Sequence, residues 1–150
     1  MDNSLFWQAY LVNFLFWMSL AQGSVIFAVS LNLTNARWGK PYIDISRLFA
    51  GFLPVSVILF AILLLGRESI FPWIAEPIPE KAAYLNVPFL AARGLIGLGL
   101  LAVISIVFLR RTESKSPSEA SPWAVVLAIL FMTIYSFLAF DLVMSLQPEW

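Results

Sequence analysis

The chain has no cysteine and no histidine among its 150 residues. Without cysteine there is no disulfide, no thiolate nucleophile and no ligand for an iron–sulfur cluster. Without histidine the usual haem ligand and the commonest transition-metal ligand are both missing. Four methionines remain, but thioethers on apolar helices are ordinarily packing groups. A redox cofactor near this chain is therefore expected to be held by another polypeptide. Charge is scarce too. Only 12% of the residues are charged, against about 25% in a soluble domain. Nine basic and nine acidic side chains sum to zero, which gives no case for nucleic acid or for a polybasic lipid-binding surface.

Hydrophobic residues make up 61% of the chain, with a mean hydropathy of +0.86. A soluble fold of this length could not hide so much apolar surface from water, so lipid is the expected solvent. Four long apolar runs, residues 5–33, 48–66, 87–109 and 122–146, read as transmembrane helices. The expected architecture is an all-α polytopic membrane protein, a single domain over residues 1–150 with four spans in an up-down bundle. No internal repeat is visible.

The first run sits in a charge-free stretch from Asn3 to Ala36. At 1.5 Å per residue its core is about 43 Å long, so it tilts or protrudes from a hydrocarbon layer of about 30 Å. Asp2 stands where a signal peptide would carry a basic residue, so this helix is expected to be retained. Trp7 and Tyr10 suit an interface. Asn35, Gly39 and Pro41 predict a turn, with Pro41 in the first turn of the next helix. Residues 41–49 mix charged and apolar side chains and are expected at the interface. Pro54 is expected to kink the second span. In the segment 67–88, Pro72, Pro77 and Pro79 exclude a regular helix, and Phe71 and Trp73 read as interface aromatics. Gly94, Gly97 and Gly99 give the third span a face of low bulk. Arg110–Ser121 has the composition of a disordered polar loop.

Arg37, Lys40, Arg47, Arg110, Arg111 and Lys115 lie in the first and third connections, against Arg67, Lys81 and Arg93 on the other side. The positive-inside rule then places the first set in the cytoplasm and both termini outward.

One acid interrupts the fourth run. Residues 122–140 carry no charge, and Asp141 follows inside the span. A carboxylate at the centre of such a helix costs about 2.5–3.5 kcal/mol on insertion scales, so it is expected to have a partner or a function. Arg93 lies about as far inside the third span, each roughly 9 Å from the same surface. Opposite charges at one depth should pair, with Asn13 or Tyr84 nearby. Two readings stand. Either the pair only locks two helices together, or Asp141 passes protons, with Gln22 and Asn32 toward the other leaflet as extensions. Helix–helix hydrogen bonding is the commoner use of such residues. Nothing matches a nucleophile triad, a phosphate-binding loop or a metal cluster.

Three stretches carry a resemblance. The first is Arg37-Trp38-Gly39 after the long first helix. The second runs from Leu53-Pro54 through Leu63-Leu64-Leu65-Gly66-Arg67 and Phe71-Pro72-Trp73 to Lys81 and Tyr84-Leu85-Asn86-Val87-Pro88-Phe89 with Arg93. The third is Asp141-Leu142-Val143-Met144-Ser145-Leu146-Gln147-Pro148-Glu149-Trp150. In this order they resemble the F subunit (ActF) of alternative complex III, a bacterial quinol:cytochrome c or high-potential acceptor oxidoreductase. The resemblance implies a cofactor-free subunit of the bacterial inner membrane. Its neighbour would be a quinol-binding ActC-like subunit, beneath periplasmic subunits carrying haem c and iron–sulfur clusters. It also implies proton movement through polar residues of the bundle, with Asp141, Arg93 and Lys81 at matching positions. Family members continue past the third stretch with further helices, so the expectation is either the N-terminal part of a longer family chain or a truncated subunit. The rival expectation is a structural or assembly membrane protein. A small transporter is disfavoured by the few polar residues in the spans.

Overall fold

Helix α1 (Asn3–Leu33) runs uninterrupted through 31 residues, as its unbroken apolar sequence predicts. In this computed structural model residues 3–76, 79–114 and 122–147 are described. Asp2, Pro77, residues 115–121 of the polar loop and Pro148-Glu149-Trp150 lie outside the described residues. Asn35 ends α1 with a φ of 51°, a left-handed conformation that Asn tolerates better than most residues. The Ala36 N–H donates back to the Leu31 carbonyl at 3.0 Å and the Asn35 N–H to Asn32 at 3.3 Å. This pair of bonds caps carbonyls that the helix end would otherwise leave open. Gly39 then passes over Leu31, where a Cβ would lie 2.6 Å from that side chain.

The second helical stretch consists of α2 (Lys40–Ala50) and α3 (Leu53–Leu63), with Pro41 and Pro54 each in a first turn. The expected kink takes the form of a break at Gly51–Phe52, both residues still right-handed. Pro54 has no N–H to continue α2, and it suits the start of a new helix. Residues 41–49 are not a separate surface segment. Ser46 Oγ donates to the Ser24 carbonyl at 2.8 Å, and Tyr10 Oη donates to Leu59 at 2.9 Å. These two contacts set α2 and α3 antiparallel along α1. The apolar stretch long enough to cross a membrane accordingly runs from Lys40 to Ile70, beyond residues 48–66 at both ends.

The segment 67–88 folds into short turns, α4 (Arg67–Ile70), α5 (Pro72–Ala75) and a 3-10 turn at Pro79–Lys81. Phe71 is extended ahead of Pro72, as the proline ring requires. That bend turns Phe71 and Trp73 back under the bundle, where both are buried with ring centroids 5.6 Å apart. They are core residues, not the interface anchors expected.

Helices α6 (Val87–Ser114) and α7 (Pro122–Leu142) complete four helical stretches apolar and long enough to span a membrane. The molecule is an all-α multi-pass membrane protein, with no strand among the described residues. Helix α1 packs on α2, α3 and α7, and α6 packs on α3 and α7, which closes a ring in chain order. One buried hydrogen bond crosses the ring, from Gln22 Nε2 on α1 to Ser105 Oγ on α6 at 3.3 Å. A second tie runs from Tyr135 Oη on α7 to the Met18 carbonyl at 3.2 Å.

The core has two unlike halves. Around Phe14, Phe60, Phe71 and Trp73 it is built from bulky side chains, whereas the other half relies on Ala21, Ala28, Ala50, Ala102 and Ala124. The glycines of α6 do not share one face. A Cβ on Gly94 would sit 2.2 Å from the Phe60 ring and one on Gly97 2.9 Å from Ile134, while Gly99 meets nothing within 4 Å. Positions three apart share a helix face, and Gly99 is turned away from both. Burial is uneven as well. In the most apolar window of the fourth stretch 17% of residues are buried inside the chain, against 44% in the first and third.

Candidate functional site: the Arg93–Asp141 pair

The site is assembled at one end of α6. Asn86 Oδ1 accepts the Phe89 N–H at 2.8 Å, and Pro88 occupies the first turn. That side-chain cap satisfies a helix-start donor, worth about 1 kcal/mol. The Tyr84-Leu85-Asn86-Val87-Pro88-Phe89 string thus has a local physical reading as a helix start. It places Arg93 in the second turn, facing α7.

Asp141 lies in the last turn of α7, 2% exposed, beside Arg93 at 14%. Arg93 Nε donates to Asp141 Oδ2 at 2.6 Å, and Nη2 donates to Oδ1. Two parallel N–H···O bonds of this kind fix orientation as well as charge. A carboxylate near a helix C-terminus faces the negative end of the helix dipole, so Arg93 also offsets that local field. Ser145 Oγ donates to the Asp141 backbone carbonyl and ties the following 3-10 turn (Met144–Leu146) to α7.

Aromatic rings surround the guanidinium. Its carbon lies 4.1 Å from the Tyr84 ring centroid, 4.4 Å from Phe89 and 5.9 Å from Phe137. Such contacts hold a cation by the ring quadrupole, with about 0.5–2 kcal/mol at stake for each. The Tyr84 phenol also lies in the field of the Asp141 carboxylate. Burial, then the adjacent carboxylate, pushes the Tyr84 phenol above its ordinary value of 10.0, and Arg93 opposes that shift. A raised folded-state value means that stability from protonated Tyr84 is complete below pH 10.0 and is lost as the pH rises beyond it. Tyr84→Phe is expected to flatten the alkaline loss of stability above that pH, as followed by unfolding midpoints across an alkaline series. An unchanged slope would show that the Tyr84 phenol does not titrate with unfolding.

The other residues singled out lie elsewhere. Asn13 does not approach the pair: it is exposed, and its Nδ2 donates to the Ala9 carbonyl of its own helix at 2.8 Å. The buried face of α1 is marked by Leu11, Phe14 and Met18, and Asn13 falls between those positions. Gln22 is buried beside Ser105, twelve residues along α6 from Arg93, or about 18 Å at helical rise. Lys81 lies in the loop before α6, its backbone carbonyl accepting from Tyr84 and Leu85 at 3.0 and 2.8 Å. Phe89 and Phe137 were not singled out beforehand. Each precedes its charged residue by four positions, the spacing that puts two helical side chains together.

Among the described residues no group of three or more His, Cys, Asp or Glu converges as a metal site. No protein-family model, curated protein or solved structure matches the chain.

Proposed function

We propose that the chain is a membrane subunit of a quinol-oxidising electron-transfer complex of the alternative complex III type. It serves as scaffold and as a component of a proton route, with the redox groups held by other subunits. The observation that carries this reading is the bidentate Arg93–Asp141 pair, which keeps an ionisable acid inside the bundle next to the Tyr84 hydroxyl. Three further points support it. The Tyr84–Phe89, Arg93 and Asp141–Gln147 strings resemble the F subunit in order. The sequence has neither cysteine nor histidine, the usual ligands of iron–sulfur clusters and haem. Much of α7 faces outward from the chain, as a helix would that meets a neighbouring subunit or lipid. On this reading the Arg93 end faces the periplasm, and a quinol-binding subunit lies alongside.

The ring cage around Arg93 favours a second reading, in which the pair only holds α6 to α7. Asp141→Asn separates the two. A proton-route residue predicts an assembled complex, with haem c absorbance and iron–sulfur signals still co-purifying, whose quinol-driven proton release in vesicles is lost. A residue that is structural only predicts unchanged quinol-driven proton release per assembled complex, whatever stability the variant loses. Purification of the wild-type chain without electron carriers would overturn the oxidoreductase reading.

A further inference from the structure

A cavity of about 20 Å³ lies against the ion pair, lined by Arg93, Ile134, Phe137, Leu138 and Asp141. Ile134, Phe137 and Leu138 precede Asp141 by one to two turns of α7, so the cavity is on the mid-bundle side of the carboxylate. Tyr84 approaches from the loop that leads into α6. We propose that this cavity is a hydration site, in which one water molecule bridges the Asp141 carboxylate and the Arg93 guanidinium.

Size, hydrogen-bonding capacity and the alternatives each bear on this. A water needs roughly 10–15 Å³ of such volume and two or more polar partners, and the cavity supplies room for one and both charged groups. A carboxylate offers about four acceptor positions and a guanidinium five donors. Nε and Nη2 of Arg93 take one position on each carboxylate oxygen, so capacity remains on both partners. The alternative occupant is a lipid or side-chain methyl group. Pressing hydrocarbon against a carboxylate and a guanidinium removes solvation without replacing it, which is costly for ions. Three apolar side chains complete the walls, and Ile134 also packs close to Gly97. Asp141 would then meet the guanidinium on one side and a water on its mid-bundle side. The site stands on the pair and the cavity alone, whether or not the chain belongs to an oxidoreductase.

The test is a density map of the full chain in lipid, at a resolution that shows ordered water. A peak within hydrogen-bond reach of both Asp141 and Arg93, between Ile134 and Phe137, is expected. Continuous aliphatic density there, or a cavity without a peak, would overturn the site. Water-edited solid-state NMR gives a second readout, through magnetisation transfer from water protons to the Asp141 carboxyl carbon. Transfer is expected in the wild type and should be largely lost in Ile134→Phe, which fills the cavity. In that variant the Arg93–Asp141 cross-peak, if retained, reports an intact pair. No wild-type transfer, or equal transfer in a variant that keeps the cross-peak, would refute the proposal. Neither result depends on quinol turnover, so the water can fail while the functional reading stands, and the reverse.

Discussion

Asp141→Leu is expected to destabilise the bundle by about 3–5 kcal/mol, because it leaves Arg93 buried without its counter-charge. Arg93→Leu should cost a similar amount. The double variant is expected to regain most of the loss. Leucines fill comparable volume, and a buried ion pair replaced by well-packed hydrocarbon is often neutral or even stabilising. The prediction is therefore a strong non-additivity, readable from reversible unfolding of the four chains in mixed lipid–detergent micelles. It follows from the geometry. Both oxygens of Asp141 are engaged by one guanidinium, the carboxylate is 2% exposed, and aromatic rings occupy much of the remaining surface around Arg93. If the two single losses simply add in the double variant, the pair does not hold the helices together.

Gly94→Ala is the second large effect. The added methyl would fall 2.2 Å from the Phe60 ring, which is itself 1% exposed. Overpacking of this kind costs about 1–3 kcal/mol because neither backbone nor ring can move freely. A compensating Phe60→Leu in the same chain is expected to recover part of the loss by removing the ring edge. Gly99→Ala is the internal control. Nothing lies within 4 Å of its Cβ position, and glycine in a helix interior is about 1 kcal/mol less favourable than alanine. That variant should be neutral or slightly more stable. Thermal unfolding of the three variants in one lipid composition would rank them. Equal effects at Gly94 and Gly99 would mean that α3 and α6 do not approach as closely as Phe60 and Gly94 indicate.

Much of this architecture is legible in the residue order. Four apolar runs bounded by charge and proline give four helical stretches, and their alternating direction lets depth be compared. Counting inward from one surface puts Arg93 and Asp141 at one level, and the structure brings them together. Depth is only one of two coordinates, however. Azimuth around the helix is the other, and α1 is apolar on every side, so no polar stripe marks which face turns inward. Asn13 shares a suitable depth yet points away from the pair. Gln22 falls on the buried side with Met18 and Val25, and there it finds Ser105. The glycines of α6 fail for the same reason, since spacing of three aligns Gly94 with Gly97 but turns Gly99 aside. Phe71 and Trp73 look like interface residues because aromatics adjoin a polar segment. Only the bend at Pro72 reveals that they are folded back into the core. The start of α2 is obscured by Asp44 and Arg47, which pair with each other on its outer side and leave Ser46 and Ala50 to face α1.

The sparse internal burial of α7 bears on how the chain is put together in the membrane. Helices α1 and α6 each pack on both α3 and α7, so neighbours around the ring can recognise one another through shape. The fourth stretch packs on α1 and α6 along a narrower buried strip, so its capture draws as well on the ion pair near its end and on the Tyr135 tie to α1. Until Arg93 is in reach, Asp141 stands as an acid with nothing to neutralise it in hydrocarbon. A newly made chain that fails to form this pair would display that acid to the lipid, the type of lesion by which quality control could tell an unfinished bundle from a finished one.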